Sequence, residues 1–151
     1  MKIVEFIKEY INKVIEFERN LRIEEPNTYF WDIDEKYLNS LNESFNDSKF
    51  NTSLTYLALI DENVVGRIDA SLSITRNDPN VSSCYLDWIC VLKSKRHQKV
   101  AQTLLNALKQ KLKEMNVTQL VALMAENEES KRFYESLDNV NIQDKGVWIN
   151  I

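Results

Sequence analysis

Residues 85 to 105 read Tyr85-Leu86-Asp87-Trp88-Ile89-Cys90-Val91-Leu92-Lys93-Ser94-Lys95-Arg96-His97-Gln98-Lys99-Val100-Ala101-Gln102-Thr103-Leu104-Leu105. An apolar run breaks into a cluster of cations, and the cations lead into residues with the spacing of an amphipathic helix. The order is strand, basic turn, helix. The first turn of a helix leaves backbone N–H groups without partners, and the macrodipole adds partial positive charge. Lys93, Lys95, Arg96 and Lys99 add full charges. Such an arrangement can seat a phosphorylated ligand. It can equally be a solvated basic turn before a surface helix, and the run alone does not choose.

Outward from this stretch the chain alternates between the two periods. Gln98 to Met115 reads as a helix with Val100, Ala101, Leu104, Leu105, Leu108 and Leu112 inward, and Gln119 to Met124 as a strand. The unit from residue 84 to 124 therefore implies a right-handed crossover between parallel strands. Upstream, residues 53–60 and 64–75 are two strands joined at Asp61-Glu62-Asn63, a hairpin, with Arg76-Asn77-Asp78-Pro79-Asn80 as a loop. Residues 84–92 are apolar at nearly every position, which places that strand centrally. Residues 3–21 read as a long amphipathic helix and 34–45 as a second one, with Asp34 as N-cap. A short helix at 127–137 and a strand at 147–151 complete the chain. The expected fold is one α/β (α+β) domain over residues 1–151, a mixed and mostly antiparallel sheet with helices on both faces.

Composition narrows function. The 151 residues carry a net charge of −4, so the basic turn is a local exception and a nucleic-acid partner is not expected. Only two glycines occur, which excludes a glycine-rich dinucleotide or P-loop. There is one histidine, against a zinc site or a Ser-His-Asp triad, and no metal is expected. Cys84 and Cys90 lack metal-ligand spacing and read as reduced, buried thiols of a cytoplasmic protein. Lys2, Glu5, Lys8 and Glu9 interrupt the N-terminal apolar residues, so neither a leader nor a membrane association is expected.

The second informative stretch is Asn127-Glu128-Glu129-Ser130-Lys131-Arg132-Phe133-Tyr134-Glu135-Ser136-Leu137. By itself it could be an amphipathic surface helix. Taken with Arg96-His97-Gln98-Lys99-Val100-Ala101, it resembles the GNAT superfamily of acetyl-CoA-dependent N-acetyltransferases. Their first motif is Arg/Gln-x-x-Gly-x-Gly/Ala and their second Asn-x-x-Ala/Ser-x-x-Phe/Leu-Tyr, in this order. The resemblance runs from about residue 54 onward. Two departures stand out. Lys99 occupies the usual glycine position, and Asp138-Asn139-Val140 replaces the usual Gly-Phe.

The resemblance implies a GNAT-like acyl-CoA N-acyltransferase fold and acetyl-CoA as co-substrate. It implies that the amides of His97, Gln98, Lys99, Val100, Ala101 and Gln102, with Arg96 at their head, cradle the pyrophosphate. It implies that the strand splays at residues 90–92, so that Cys90 and Val91 offer backbone to pantetheine. Asn127 and Ser130 would hold the pantetheine arm, and Tyr134 would face the sulfur. A phenol suits that place, because it can hydrogen-bond to the departing thiolate and share its proton. Lys99 is allowed there if it lies in the helix.

Asp87 is a carboxylate in an apolar strand. Either it is paired, with a neighbouring strand or with Arg67, or it is the base for the acceptor amine. An alkyl ammonium of pKa ~10.4 is deprotonated only about once in 2,500 molecules at pH 7, so a base is needed. Tyr29, Phe30, Trp31 and Asp32, with Glu24, Glu25 and Asp34 nearby, either border the acceptor site, where aromatic and acidic groups suit a cation, or anchor the chain and cap a helix. The expected partner is a small, cationic amine acceptor; the resemblance also leaves room for a homodimer. The alternative from another class is a CoA-binding sensor or partner-binding module without turnover.

Overall fold

The computed structural model describes residues 1–29, 31–74, 82–142 and 149. Phe30, the loop at 76–80 and all but residue 149 of the strand expected at 147–151 lie outside them. Backbone packing divides the chain into two compact units, Met1–Val121 and Ala122–Ile151.

The first unit is built on a sheet of strands β1 (Lys2–Glu5), β2 (Ser53–Ile60), β3 (Asn63–Ile74), β4 (Ser82–Val91) and β5 (Gln119–Ala122), in that spatial order. The pairs β1–β2, β2–β3 and β3–β4 are antiparallel. Strand β4 is interior but one place off the middle of the sheet, which β3 occupies. The hairpin joining β2 and β3 turns at Asp61 and Glu62, whose φ angles are 49° and 63°. Two successive positive φ values belong to the primed turns that match strand twist.

The N-terminal helix expected over 3–21 needs correction. Lys2–Glu5 is a strand paired with Leu59 through Tyr56, and the Phe6 amide extends this pairing to Thr55 O at 2.9 Å. Ile3 and Val4 are β-branched and favour a pleated neighbour. A 3₁₀ turn at Lys8–Tyr10 separates this strand from helix α1, Ile11–Glu24. Ile3, Phe6 and Ile7 happen to continue the helical spacing of α1, which is why period alone misassigns them. Helix α2, Glu35–Ser44, forms as expected, capped by Asp34, whose Oδ1 accepts the Tyr37 amide at 2.8 Å.

Helix α3, Val100–Glu114, packs on β2, β3 and β4, and α1 packs on β3. Alternation along β3 assigns them opposite faces. Gly66 faces α3: a Cβ there would stand 2.9 Å from Val100 Cγ1 and 3.1 Å from Leu104 Cδ1. The next residue, Arg67, reaches Glu18 of α1. Glycine at 66 thus lets the start of α3 lie close against the sheet. The buried residues Val14, Phe17 and Leu21 form the α1 layer, and Val100, Leu104 and Leu108 the α3 layer.

Among the described residues, two bulges interrupt the ladder. One doubles a residue of β3 at Val65, between the pairs Ala58↔Gly66 and Leu59↔Val64. The other leaves Asp87 unpaired on β4, between Asp69↔Trp88 and Ala70↔Leu86. A bulge adds one residue to a strand and re-aims side chains.

The second unit contains α4, Glu128–Glu135. Among the described residues, no helix is long and apolar enough to cross a membrane, and no group of three or more His, Cys, Asp or Glu is placed to hold a metal.

Candidate active site

The basic turn is where β4 hands over to α3. Lys93–Lys95 is a 3₁₀ turn closed by the Lys95 amide on Leu92 O at 2.8 Å. His97 and Lys99 then take φ of 60° each. Helix α3 begins only at Val100, so Gln98 and Lys99 lie outside the helix expected from residue 98. Lys99 is its N-cap, left-handed at φ 60°, ψ 18°, with no side-chain capping bond. The expectation that lysine is accommodated there by being helical is overturned. The left-handed region costs a residue with a Cβ roughly 1–2 kcal/mol, which is the physical reason glycine suits this position. The first internal bond of the helix runs from the Thr103 amide to Lys99 O at 3.0 Å. The amides of Val100, Ala101 and Gln102 therefore precede it and have no carbonyl within the helix to meet. Lys93 and Lys99 are exposed and Lys95 half-buried around them.

Arg96 is turned the other way. Its Nη1 donates to Glu25 Oε1 at 3.1 Å, its Nη2 donates to Glu25 Oε2, and its Nε donates to Val91 O at 3.3 Å. Beside it, Glu24 accepts both the Ser94 amide at 3.0 Å and the Ser94 hydroxyl at 2.6 Å. Desolvation raises the Glu24 carboxyl, but the Ser94 bonds outweigh it and leave the group below its ordinary range. The acids at the end of α1 are thus committed to the basic turn.

At the end of β4, Cys90 and Val91 are buried at 7% exposure each. On the β3 side the strand does not splay: Val91 pairs with Gly66, and the Leu92 amide reaches Val65 O at 3.0 Å. The Cys90 thiol contacts the Tyr29 hydroxyl. Burial pushes that thiol up to about 11, and burial also raises Tyr29 well above an ordinary phenol. Cys90 is accordingly a protonated thiol at neutral pH.

Asp87 is exposed, not buried, because the bulge releases it from the ladder. Its Oδ2 accepts the Ser71 hydroxyl at 2.5 Å. Arg67 is not its partner: Nη1 donates to Glu18 Oε1 and Nη2 to Asp69 Oδ1, both at 3.0 Å. Trp88, next along the bulge, has its ring edge-to-face with Tyr29 and Trp31, whose rings also meet each other, at centroid distances of 5.7 to 6.3 Å. The Arg22 guanidinium covers Trp31 at 4.8 Å. The rings of Tyr29 and Trp31 thus stand together, whereas Asp32 is an exposed residue beside them. Sequence reading passed over Trp88, although it adjoins Asp87 in the quoted stretch. It also passed over Glu18, fully buried, which accepts from Trp31 Nε1 at 3.0 Å and Tyr37 Oη at 2.5 Å. A lone acid among the apolar positions of α1 was the available signal.

In the second unit, Asn127 is the N-cap of α4, and its Oδ1 accepts the Ser130 amide at 2.8 Å. The cap is thus the first job of the Asn127 side chain, and it explains the Asn-x-x-Ser spacing. Tyr134 is half-buried on the same helix, its ring 5.2 Å from that of Phe133.

A basic turn and helix start are thus fed by an interior strand of a mostly antiparallel sheet with helices on both faces. Residues 15–138 match the model of the Acetyltransferase (GNAT) family, and the chain belongs to that family. No curated protein sequence matches it. Among solved structures, it is similar to the aminoglycoside acetyltransferase meta-AAC0020 from an uncultured soil metagenomic sample in complex with sisomicin: 16% identity, TM-score 0.81, 99% of this chain and 95% of that one. A probable acetyltransferase aligns over 100% of this chain and 98% of its own at 23% identity and TM-score 0.79. The aminoglycoside N-acetyltransferase AAC(6')-Iy, solved with CoA, aligns over 99% and 98% at 19% identity and TM-score 0.70. At such identities the likeness is one of fold.

Proposed function

We propose that the chain transfers the acetyl group of acetyl-CoA to a primary amine of a small, cationic acceptor by direct attack. The observation that carries this reading is the start of α3, where three helix-first amides follow a left-handed Lys99 and a turn bearing Lys93 and Lys95. Donors and charges of that kind fit a pyrophosphate. A solved family relative in complex with CoA supports the donor, and relatives named for aminoglycosides support a small cationic acceptor. The family match crosses both compact units, which supports a single catalytic domain over residues 1–151. Two unbridged, buried cysteines support a reducing, cytoplasmic setting.

When bound, acetyl-CoA supplies the thioester carbonyl that the amine attacks. The chain's residues then have four tasks. The amides of residues 97–102 bind the pyrophosphate. Backbone at Cys90 and Val91, on the side of β4 away from β3, pairs with pantetheine, and Asn127 and Ser130 steady that arm. Asp87, its carboxylate held by Ser71, takes the proton of the amine directly or through water, and the Trp88–Trp31–Tyr29 wall lies against the acceptor. Tyr134 donates its phenolic hydrogen bond to the sulfur as the C–N bond forms and the C–S bond breaks. The raised thiol of Cys90 argues against an acyl-enzyme, since the thiolate is the nucleophile.

A thiol-release assay with acetyl-CoA and a panel of amines tests this. Wild type turns over at least one cationic amine, and Tyr134→Phe loses roughly 100-fold in kcat while its CoA affinity by calorimetry is unchanged. No CoA binding at millimolar ligand overturns the proposal. Binding without turnover of any amine identifies the non-catalytic module instead.

A further inference from the structure

Two carboxylates at the C-terminal end of α1 reach across to the basic turn. They meet residues about 70 positions away: Glu24 holds Ser94 by its amide and its hydroxyl, and Glu25 grips Arg96 through both terminal nitrogens. Arg96 also donates Nε to Val91 O. The guanidinium is therefore wedged between the end of β4 and the end of α1. The Arg96 and Glu25 side chains are 19% and 17% exposed, so both charges are largely withdrawn from water. A fork-to-fork arginine–carboxylate pair is directional and fixes the geometry of what it joins.

Turning that same fork of the guanidinium onto the pyrophosphate means leaving Glu25. That would strand a largely buried carboxylate without its partner, a costly arrangement, next to an incoming anion that repels it. Lys93, Lys95 and Lys99 remain around the helix start to meet the anion.

We infer that Glu25 is a positioning residue of the donor site: acting through Arg96, it fixes the turn that carries the pyrophosphate amides, and Arg96 is a strut, not a phosphate ligand. The inference rests on the acetyl-CoA reading given above. It moves the acidic end of α1 from the acceptor to the donor side of the reaction. It also gives Arg96, the head of the first motif, a role within the protein.

Calorimetric CoA titration of wild type, Glu25→Gln, Arg96→Gln and the double variant decides the matter, with kinetics on acetyl-CoA and on S-acetylpantetheine, which lacks the pyrophosphate. Each single variant should weaken CoA about fivefold, and the double variant no more than either, since both remove one link. For S-acetylpantetheine, kcat/KM should stay within about twofold, a selectivity that general loss of structure would not give. Glu25→Asp, which keeps the charge, should recover part of the CoA affinity. If Arg96→Gln weakens CoA while Glu25→Gln leaves it equal or tighter, Arg96 is a phosphate ligand and the inference fails. Equal losses on both donors also overturn it, by making the pair merely structural. A wild type that does not bind CoA sinks the acetyl-CoA reading itself, a result distinct from either.

Discussion

Helix α1 uses its carboxylates in two ways, six to seven residues apart. Glu18, near its middle, is completely buried and gathers Arg67, Trp31 Nε1 and Tyr37 Oη around one carboxylate. Glu24 and Glu25, at its end, sit at the rim and tie down Ser94 and Arg96. The first cluster joins three elements that a core must hold together: α1, β3 and the start of α2. The second joins α1 to a turn that packs little. The difference is that one kind of pair, arginine on glutamate, serves stability where its carboxylate is desolvated on all sides and, in the donor site proposed above, serves the shape of a ligand seat where it borders water. Removing a partner at Glu18 leaves an uncompensated charge with no access to water, whereas the Glu25 carboxylate, 17% exposed, keeps some.

The largest effect should come from Glu18→Gln. It leaves Arg67 with Asp69 alone inside the sheet–helix layer, and about 3 kcal/mol of stability should be lost in urea unfolding. If Glu25→Gln loses as much, the division between core and rim is wrong. Lys99→Gly tests the rim from the other side. Removing the Cβ from a left-handed residue should raise stability by roughly 1 kcal/mol. No gain would mean that the lysine stem repays its backbone cost with contacts of its own. The smallest effect belongs to Glu24. Its carboxyl is lowered in the folded state by the Ser94 bonds, so the fold binds fewer protons there than the unfolded chain. Its contribution is thus present above the unfolded value near 4.5 and is lost as pH falls through the lower folded one. Glu24→Gln should therefore show a slightly smaller drop in melting temperature than wild type between pH 6 and pH 3.5.

Much of the fold was legible because its signals are local. The hairpin at Asp61-Glu62, the Asp34 cap with its helix, and the order of β4, turn and α3 follow from turn residues, caps and period. Lys2–Glu5 is ambiguous in sequence, because a short β-branched run at helical spacing looks like the first turn of the helix that follows. Only its pairing with β2 tells the two apart. Spacing predicts the start of α3 two residues early, because nothing in Gln98-Lys99 announces a left-handed backbone.

The candidate site divides the same way. Asp87 was visible as an acid in an apolar strand, but the bulge that exposes it depends on the register of β4 against Asp69 and Ala70. Tyr29 and Trp31 were visible as aromatics, but their third partner, Trp88, lies some 60 positions on, beside them only once β4 is in the sheet. By itself, the sequence determined the strand–turn–helix around the basic turn and the short helix bearing Tyr134, because each rests on neighbours within a few residues. Only the tertiary structure decided which partners Glu18, Glu24 and Glu25 meet. Opposite charges attract at any sequence separation, and Glu25 reaches Arg96 rather than one of the lysines because packing of α1 on β3 brings those two side chains face to face.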